Sequence, residues 1–300
     1  MSHYTHLVIS GGGMCGGCIL GVFRYLYIEN KIKNIKYISG NSIGSLFALA
    51  FILKIPLDEL EIIFKDTHKN REFIINKNNL GNLFINNGII DFNIFIKPIQ
   101  KYLKDNYDLD DITFKEISKK FGINLYISTT NVNRQINKIF SIDNTPDISV
   151  FKAVTASITL PYIGIPVIID NEYYIDGYLT NNFPIEVFKN VNKDNIFGIV
   201  INIETNNSDN NINKELTFLD YNKKLLDLLI INTTKLAFIN LINKEYANIL
   251  LINDLPISSY ILYSINNDEL ESDLSDIDVD NLILDGFIKT ANYFNYIKSL

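Results

Sequence analysis

Short runs of consecutive apolar residues alternate along this chain with stretches in which apolar residues recur every third or fourth position. His6-Leu7-Val8-Ile9-Ser10 is such a run and predicts a buried parallel strand. Beyond it Ile19, Val22, Phe23 and Leu26 repeat at helical spacing while Arg24 and Glu29 fall elsewhere, which predicts a helix with one face on a sheet. A second strand is predicted over Ile35 to Ser39, followed by an apolar helix from Leu46 to Leu53. Strand, helix, strand, helix at the start of a chain implies a parallel sheet.

Farther on, Pro56-Leu57-Asp58-Glu59-Leu60 reads as a helix start, with proline and acidic residues in the first turn. Between Phe73 and Ile96 apolar residues alternate irregularly with asparagine, a pattern that suits core helices or a cap over an apolar cleft. Thr113-Phe114-Lys115-Glu116 is a capping box opening a helix that Gly122 closes. Strands are predicted over Ile123 to Thr129 and Ile136 to Ile142, and a short helix from Pro146 through Ala156. Pro166 to Ile169 and Glu172 to Ile175, joined by Asp170-Asn171, predict a hairpin that ends in Asp176-Gly177. A buried strand over Ile196 to Ile203, an exposed loop over Glu204 to Asn213, a long helix from about Glu215 to Lys244, a strand from Ala247 to Ile252 and a helix from about Leu282 to Ile297 complete the chain. No linker interrupts the first two hundred residues and no internal repeat is seen, so one domain spanning 1–300 is expected, with a motif-bearing core over about 6–204 and a helical part over about 214–300 packed on it.

Composition narrows the function. At 47% apolar and 20% charged residues the 300-residue chain is ordinary for a globular protein, and a net charge of −7 opposes binding to nucleic acid or electrostatic adsorption to anionic bilayers. Peripheral membrane contact would have to be apolar. Two cysteines offer no disulfide framework, and neither a signal segment nor an apolar run long enough to span a bilayer is evident, so a cytoplasmic location is expected. The sequence leaves oligomeric state open.

The candidate chemistry lies in two glycine-rich turns. Gly40-Asn41-Ser42-Ile43-Gly44 sits between a predicted strand and a predicted helix, the setting of a nucleophile elbow, with glycines two residues either side of the serine. A serine held there has the positive end of a helix dipole beside it. Its base is less obvious. The three histidines are His3, His6 and His68, and none follows the hairpin where the α/β-hydrolase order of serine, acid and histidine requires one. A carboxylate base is the remaining choice, and Asp176, after a strand and before Gly177, is the strongest candidate. As a base it needs burial to lift its pKa from the usual value near 3.9. Asp176-Gly177 could equally make a plain turn.

These residues together resemble the patatin-like phospholipases, Ser-Asp dyad lipid acyl hydrolases similar to the catalytic domain of cytosolic phospholipase A2. The loop Gly11-Gly12-Gly13-Met14-Cys15-Gly16, the elbow, the block Ala156-Ser157-Ile158-Thr159-Leu160-Pro161, Asp176-Gly177 and Asn182-Phe183-Pro184 occur in the order and approximate spacing of that family. The resemblance implies a three-layer α/β/α sandwich with a mostly parallel central sheet. It implies Ser42 as nucleophile, Asp176 as base, and an oxyanion hole from the loop of Gly11, Gly12, Gly13 and Gly16, with main-chain N–H groups of Gly12 and Gly13 as donors. Two positions depart from the family: Cys15 stands where a basic residue is common, and Tyr178 where glycine or alanine follows the Asp-Gly pair.

Rival readings are weaker. Gly11-x-Gly13-x-x-Gly16 also fits a dinucleotide fingerprint, but the second strand ends in the serine elbow instead of the required acidic residue. Cys15-Gly16-Gly17-Cys18 could be a redox dithiol or half a metal site, against two free thiols on a turn. The expected activity is therefore hydrolysis of a fatty-acyl ester, of a phospholipid or another acyl lipid, without metal or cofactor. The alternative is an inactive binding protein on the same fold.

Overall fold

The computed structural model describes residues 4–69, 81–201, 248–253 and 275–299, with parts of 221–236 and 255–272. Its opening is the βαβα unit the pattern predicts: β1 His6–Ile9, α1 Gly17–Ile28, β2 Tyr37–Asn41 and α2 Ile43–Ile52. Helices α3 Leu57–Lys69, α4 Gly81–Asn86, α5 Lys97–Tyr107 and α6 Phe114–Phe121 lead to β3 Asn124–Asn131 and β4 Ile136–Ser141. Then come α7 Val150–Ile158, the hairpin β5 Val167–Ile169 and β6 Glu172–Asp176, β7 Ile196–Ile201, and β8 Ile249–Ile252. A small hairpin, β9 Tyr263–Asn266 with β10 Glu269–Ser272, precedes the final helix α8 Asp276–Ser299.

The main sheet has eight strands. Strands β3, β2, β1, β7 and β8 are adjacent and parallel, whereas β4, β5 and β6 join antiparallel beside β3. Chain order runs from β1 outward to β2 and β3 on one side and to β7 and β8 on the other. That reversal opens a crevice at the carboxyl ends of the central strands, where α/β sheets place their ligands.

Alternation along β1 sends residues to both faces. Leu7 and Ile9 join the large core under α1, α2, α7 and α8, and Val8 joins a second cluster with Phe183, Ile185, Phe188, Ile196 and Val200. A 3₁₀ turn over Ile185–Phe188 lies in that second layer, and the helical residues 231–236 lie against the same segment. The protein is thus an α/β sandwich with a mixed sheet.

Local signals explain most element ends. The Thr113 hydroxyl accepts from the N–H of Glu116, whose carboxylate accepts from the Thr113 N–H at 2.8 Å, and Gly122 at φ 67° ends α6. Asp170 and Asn171 both take positive φ, 49° and 63°, as the two-residue hairpin between β5 and β6 demands. Helix α7 begins at Val150 instead of Pro146, because turns occupy 143–148 and the Ser149 hydroxyl caps the helix by accepting from Lys152 N–H at 3.2 Å. Helix α8 begins at Asp276, earlier than predicted. Ser275 and Asp278 exchange backbone-to-side-chain bonds of 3.0 and 3.2 Å, a cap that the run of acidic residues disguised. The β9–β10 hairpin has no counterpart in the sequence reading. Most of the predicted 215–244 helix and the stretch 70–80 lie outside the described residues, and residues 231–236 are helical.

Helix α8 docks on α1 through two glycines. A Cβ at Gly21 would stand 2.7 Å from the Phe287 nitrogen, and one at Gly286 would stand 2.8 Å from the Cys18 carbonyl carbon, so the two backbones pass in direct contact. Phe294 of α8 stacks on Tyr25 and Phe197, with ring centroids 5.7 and 5.6 Å apart. Among the described residues no helix is long and apolar enough to cross a membrane.

Candidate active site

The elbow is a backbone feature first. Ser42 sits at the N-cap of α2 with φ 50° and ψ −130°, a conformation that side-chain-bearing residues rarely adopt. Close packing on both sides enforces it. A Cβ at Gly40 would lie 2.7 Å from the Gly44 carbonyl oxygen, and one at Gly44 would lie 2.5 Å from that of Ser10. The strained peptide is pinned from a third direction, because the Ser42 N–H donates to the Ser157 hydroxyl at 2.8 Å and that hydroxyl donates to the Ser128 carbonyl at 2.7 Å. Ser157 comes from α7 and Ser128 from β3, so two further elements hold the turn.

Asp176, the last residue of β6, is completely buried. Its Oδ1 accepts from the Tyr178 N–H at 2.9 Å and from the Asn41 side-chain amide at 3.2 Å. Its Oδ2 has no hydrogen-bond partner among the described residues. Burial pushes this carboxyl up to about 7, opposed by the Ser42 hydroxyl, the Tyr178 N–H and the Asn41 amide, which favour the charged form. The Ser42 hydroxyl thus bears on the carboxyl without closing a hydrogen bond to it in this conformation, a looseness common before substrate aligns the pair. Gly177 is tied to the site by lack of space: a Cβ there would stand 2.7 Å from the Ser128 hydroxyl and 2.8 Å from the Ser128 carbonyl carbon.

The glycine loop leaves β1 and turns into α1 beside the elbow. Its Gly11 N–H donates to the Asn182 carbonyl at 3.2 Å, while the N–H groups of Gly12 and Gly13 have no acceptor among the described residues. Gly13 takes φ 49°, which a Cβ would resist. Gly12 abuts Ile201 at the end of β7, and a Cβ at Gly16 would stand 3.0 Å from Ile43 Cγ2 in the elbow. Gly11 and Gly16 therefore shape the loop, and Gly12 and Gly13 carry its unused donors.

Among the other candidates, His6 is buried at the start of β1, stacked on Tyr37 at 4.5 Å, and far along the strand from Ser42; burial holds its pKa low. His3 and the His68 side chain lie outside the described residues. Cys15 and Cys18 are both buried and form no disulfide, and burial pushes the Cys15 thiol up to about 12 and raises that of Cys18, so neither is a reactive thiolate. Cys15 occupies apolar core rather than a phosphate-facing position, and Tyr178 is likewise wholly buried. The sequence reading passed over Asn41, Ser128 and Ser157. Asn41 was visible inside the elbow string and Ser157 inside the Ala156–Pro161 block, but Ser128 carries no local signal.

Comparison with known proteins gives the family. A family model described as patatin-like phospholipase matches residues 7–189. Protein R571 of Acanthamoeba polyphaga mimivirus is 31% identical over 225 residues, covering 73% of this chain and 74% of its own. Probable lipid hydrolase 463L of Invertebrate iridescent virus 6 is 31% identical over 187 residues, covering 62% of this chain and 63% of its own. The crystal structure of VipD from Legionella pneumophila matches with a TM-score of 0.60 at 16% identity, covering 98% of this chain and 67% of VipD, a likeness of fold alone. The matched span contains the glycine loop, the elbow and Asp176-Gly177, and the chain belongs to the patatin-like phospholipase family of ester-bond hydrolases.

Proposed function

We propose that the chain cleaves fatty-acyl esters of phospholipid or lysophospholipid through a Ser42–Asp176 dyad. The observation that carries this reading is the strained Ser42 backbone presented to a buried carboxyl whose Oδ2 is unpartnered. Ser42 Oγ attacks the ester carbonyl carbon while its proton passes to the Asp176 carboxylate. The negative oxygen of the tetrahedral species accepts from the Gly12 and Gly13 N–H groups. Collapse expels the alcohol, which takes the proton from Asp176 and leaves an acyl-serine. Water then attacks the acyl carbon and gives a proton to Asp176; collapse breaks the bond to Ser42 Oγ, which takes that proton from Asp176 as the fatty acid leaves. The printed name of the viral relative, a probable lipid hydrolase, supports the substrate class. Contact with a lipid surface rests on apolar groups such as Phe84 and Ile85 on α4, 88% and 78% exposed, since the net charge of −7 opposes electrostatic adsorption.

The test is release of free fatty acid from phosphatidylcholine vesicles by the wild type, Ser42→Ala and Asp176→Asn with excess chelator present. Release by the wild type, lost by about a thousandfold or more in both variants, is expected. Wild-type silence, joined to absence of Ser42 labelling by a fluorophosphonate, would overturn the reading and favour a binding role.

A further inference from the structure

One polar chain runs from the proposed base into a part of the molecule beyond the span the family model matches. The side-chain amide of Asn41 uses its two hydrogens on Asp176 Oδ1 at 3.2 Å and on Asn182 Oδ1 at 2.9 Å. The Asn182 amide then donates to the Thr234 hydroxyl at 3.1 Å, and the Asn182 carbonyl accepts from the Gly11 N–H at 3.2 Å. Asn41, Asn182 and Thr234 are all buried. Asn182 therefore joins the elbow, the glycine loop and the helical residues 231–236, and Thr234 lies well past residue 189, where the family match ends.

An asparagine amide has nearly the same shape either way round, so its orientation is fixed only by its partners. The ionised Asp176 Oδ1 can only accept, so Asn41 turns its NH₂ toward it and toward Asn182 Oδ1, and the Asn182 NH₂ is left facing the Thr234 hydroxyl, which accepts from it. Asn41 Oδ1 then faces Gly177, where it has no partner among the described residues. Without the Thr234 acceptor the buried Asn182 NH₂ loses the partner it has in this structure, which favours a shift or flip of Asn182. A flipped Asn182 would set NH₂ against NH₂, and a flipped Asn41 would set its oxygen against the Asp176 carboxylate.

We infer that Thr234 is a positioning residue for the dyad, acting through Asn182 and Asn41 to keep a hydrogen-bond donor on Asp176. This rests on the dyad reading above. The groups bearing on Asp176 are the Ser42 hydroxyl, the Tyr178 N–H and the Asn41 amide, with no charged side chain among them, and the residues around it on β3 and α7 (Ser128, Thr129, Thr130, Ser157 and Thr159) are neutral. A lost or reversed Asn41 dipole is therefore felt directly by the carboxylate. The charged, basic form is disfavoured, and the pH at which activity appears rises.

The experiment follows kcat/KM against pH for hydrolysis of p-nitrophenyl butyrate by full-length wild type, Thr234→Val, Thr234→Ser and Ser42→Ala. In the valine variant the activity midpoint is expected to rise by about half to one pH unit, which lowers kcat/KM about three- to tenfold on the acid side and little at pH 9. The serine variant, which keeps the acceptor, is expected to restore the wild-type midpoint. A loss in the valine variant that is uniform across pH, an unchanged midpoint, or a serine variant that fails to restore it would overturn the positioning role. Thr234→Ala, which only removes atoms, gives the same comparison should the valine variant unfold. Activity surviving in Ser42→Ala would instead sink the dyad itself, so the two failures are distinguishable.

Discussion

Asn41 and Asp176 meet because they pair with consecutive residues of one strand: Asn41 lies opposite Ser128 and Asp176 opposite Thr129. Strand β4 occupies the other side of β3 along this stretch, so β2 and β6 share an edge and abut end to end. β2 arrives parallel to β3 and β6 antiparallel, which brings the carboxyl ends of both to the same point. Ser42 is the next residue after that junction. The elbow and the acid are thus set by backbone ladders, and a site built on paired strands is held more precisely than one built on loops.

The position of Asp176 in the interior predicts a pH dependence for the proposed activity. A proton acceptor must be ionised, and burial lifts the pKa of this carboxyl to about 7. Hydrolysis is expected to fall as pH drops through about 7 and to level off above about 8, measured as initial rate on a fixed vesicle preparation.

The same shift acts on stability with the opposite sense. Folding raises the pKa of Asp176, so its contribution to stability is full below the unfolded value near 3.8 and is lost as pH rises through about 7. Asp176→Asn removes that titration while its Oδ1 can still accept from Asn41 and Tyr178. Thermal unfolding should show the variant gaining on the wild type between pH 4 and pH 8, by on the order of a few kcal/mol. A variant equally or less favoured at pH 8 would contradict the buried, raised carboxyl.

Ser42 stores backbone strain that glycine would relieve. Ser42→Gly should stabilise the fold by about 1 kcal/mol or more in denaturant titration while abolishing hydrolysis, whereas Ser42→Ala should abolish hydrolysis without that gain.

Gly177 tests the tightness of the junction. In Gly177→Ala the new methyl meets the Asn41 side-chain oxygen, the Ser128 hydroxyl and the Ser128 backbone carbon, so the Asn41 side chain and the Asp176–Tyr178 turn must shift. Activity should fall by at least about tenfold with a stability loss of about 1–3 kcal/mol, read from vesicle hydrolysis and thermal unfolding of the same preparation.

The crossing of α1 and α8 bears on domain organisation. Backbone blocks both glycine sites, so Gly21→Leu and Gly286→Leu should each cost more than about 3 kcal/mol. We propose that the C-terminal helix folds with the motif-bearing core as one unit, in which case both variants lower a single cooperative unfolding transition. A separate early transition, with the core unfolding unchanged, would show two units.

By itself the sequence determined much of the local structure and the inventory of candidate reacting groups. Apolar runs and helical periodicity placed β1, α1, β2 and α2, because burial of one face is written into consecutive residues. Turn chemistry did the same for the α6 cap and the Asp170-Asn171 hairpin, since those conformations depend on residues within a few positions. The elbow string, the glycine loop and the absence of a histidine after the hairpin were enough to name Ser42 and Asp176 as candidates. Tertiary structure alone decided how they meet. The end-to-end junction of β2 and β6 depends on pairing across β3, the height of the Asp176 pKa on the removal of water around it, and the place of Thr234 on packing between segments fifty residues apart. None of these is a property of neighbours in sequence; each arises from which surfaces exclude solvent together once the chain is folded.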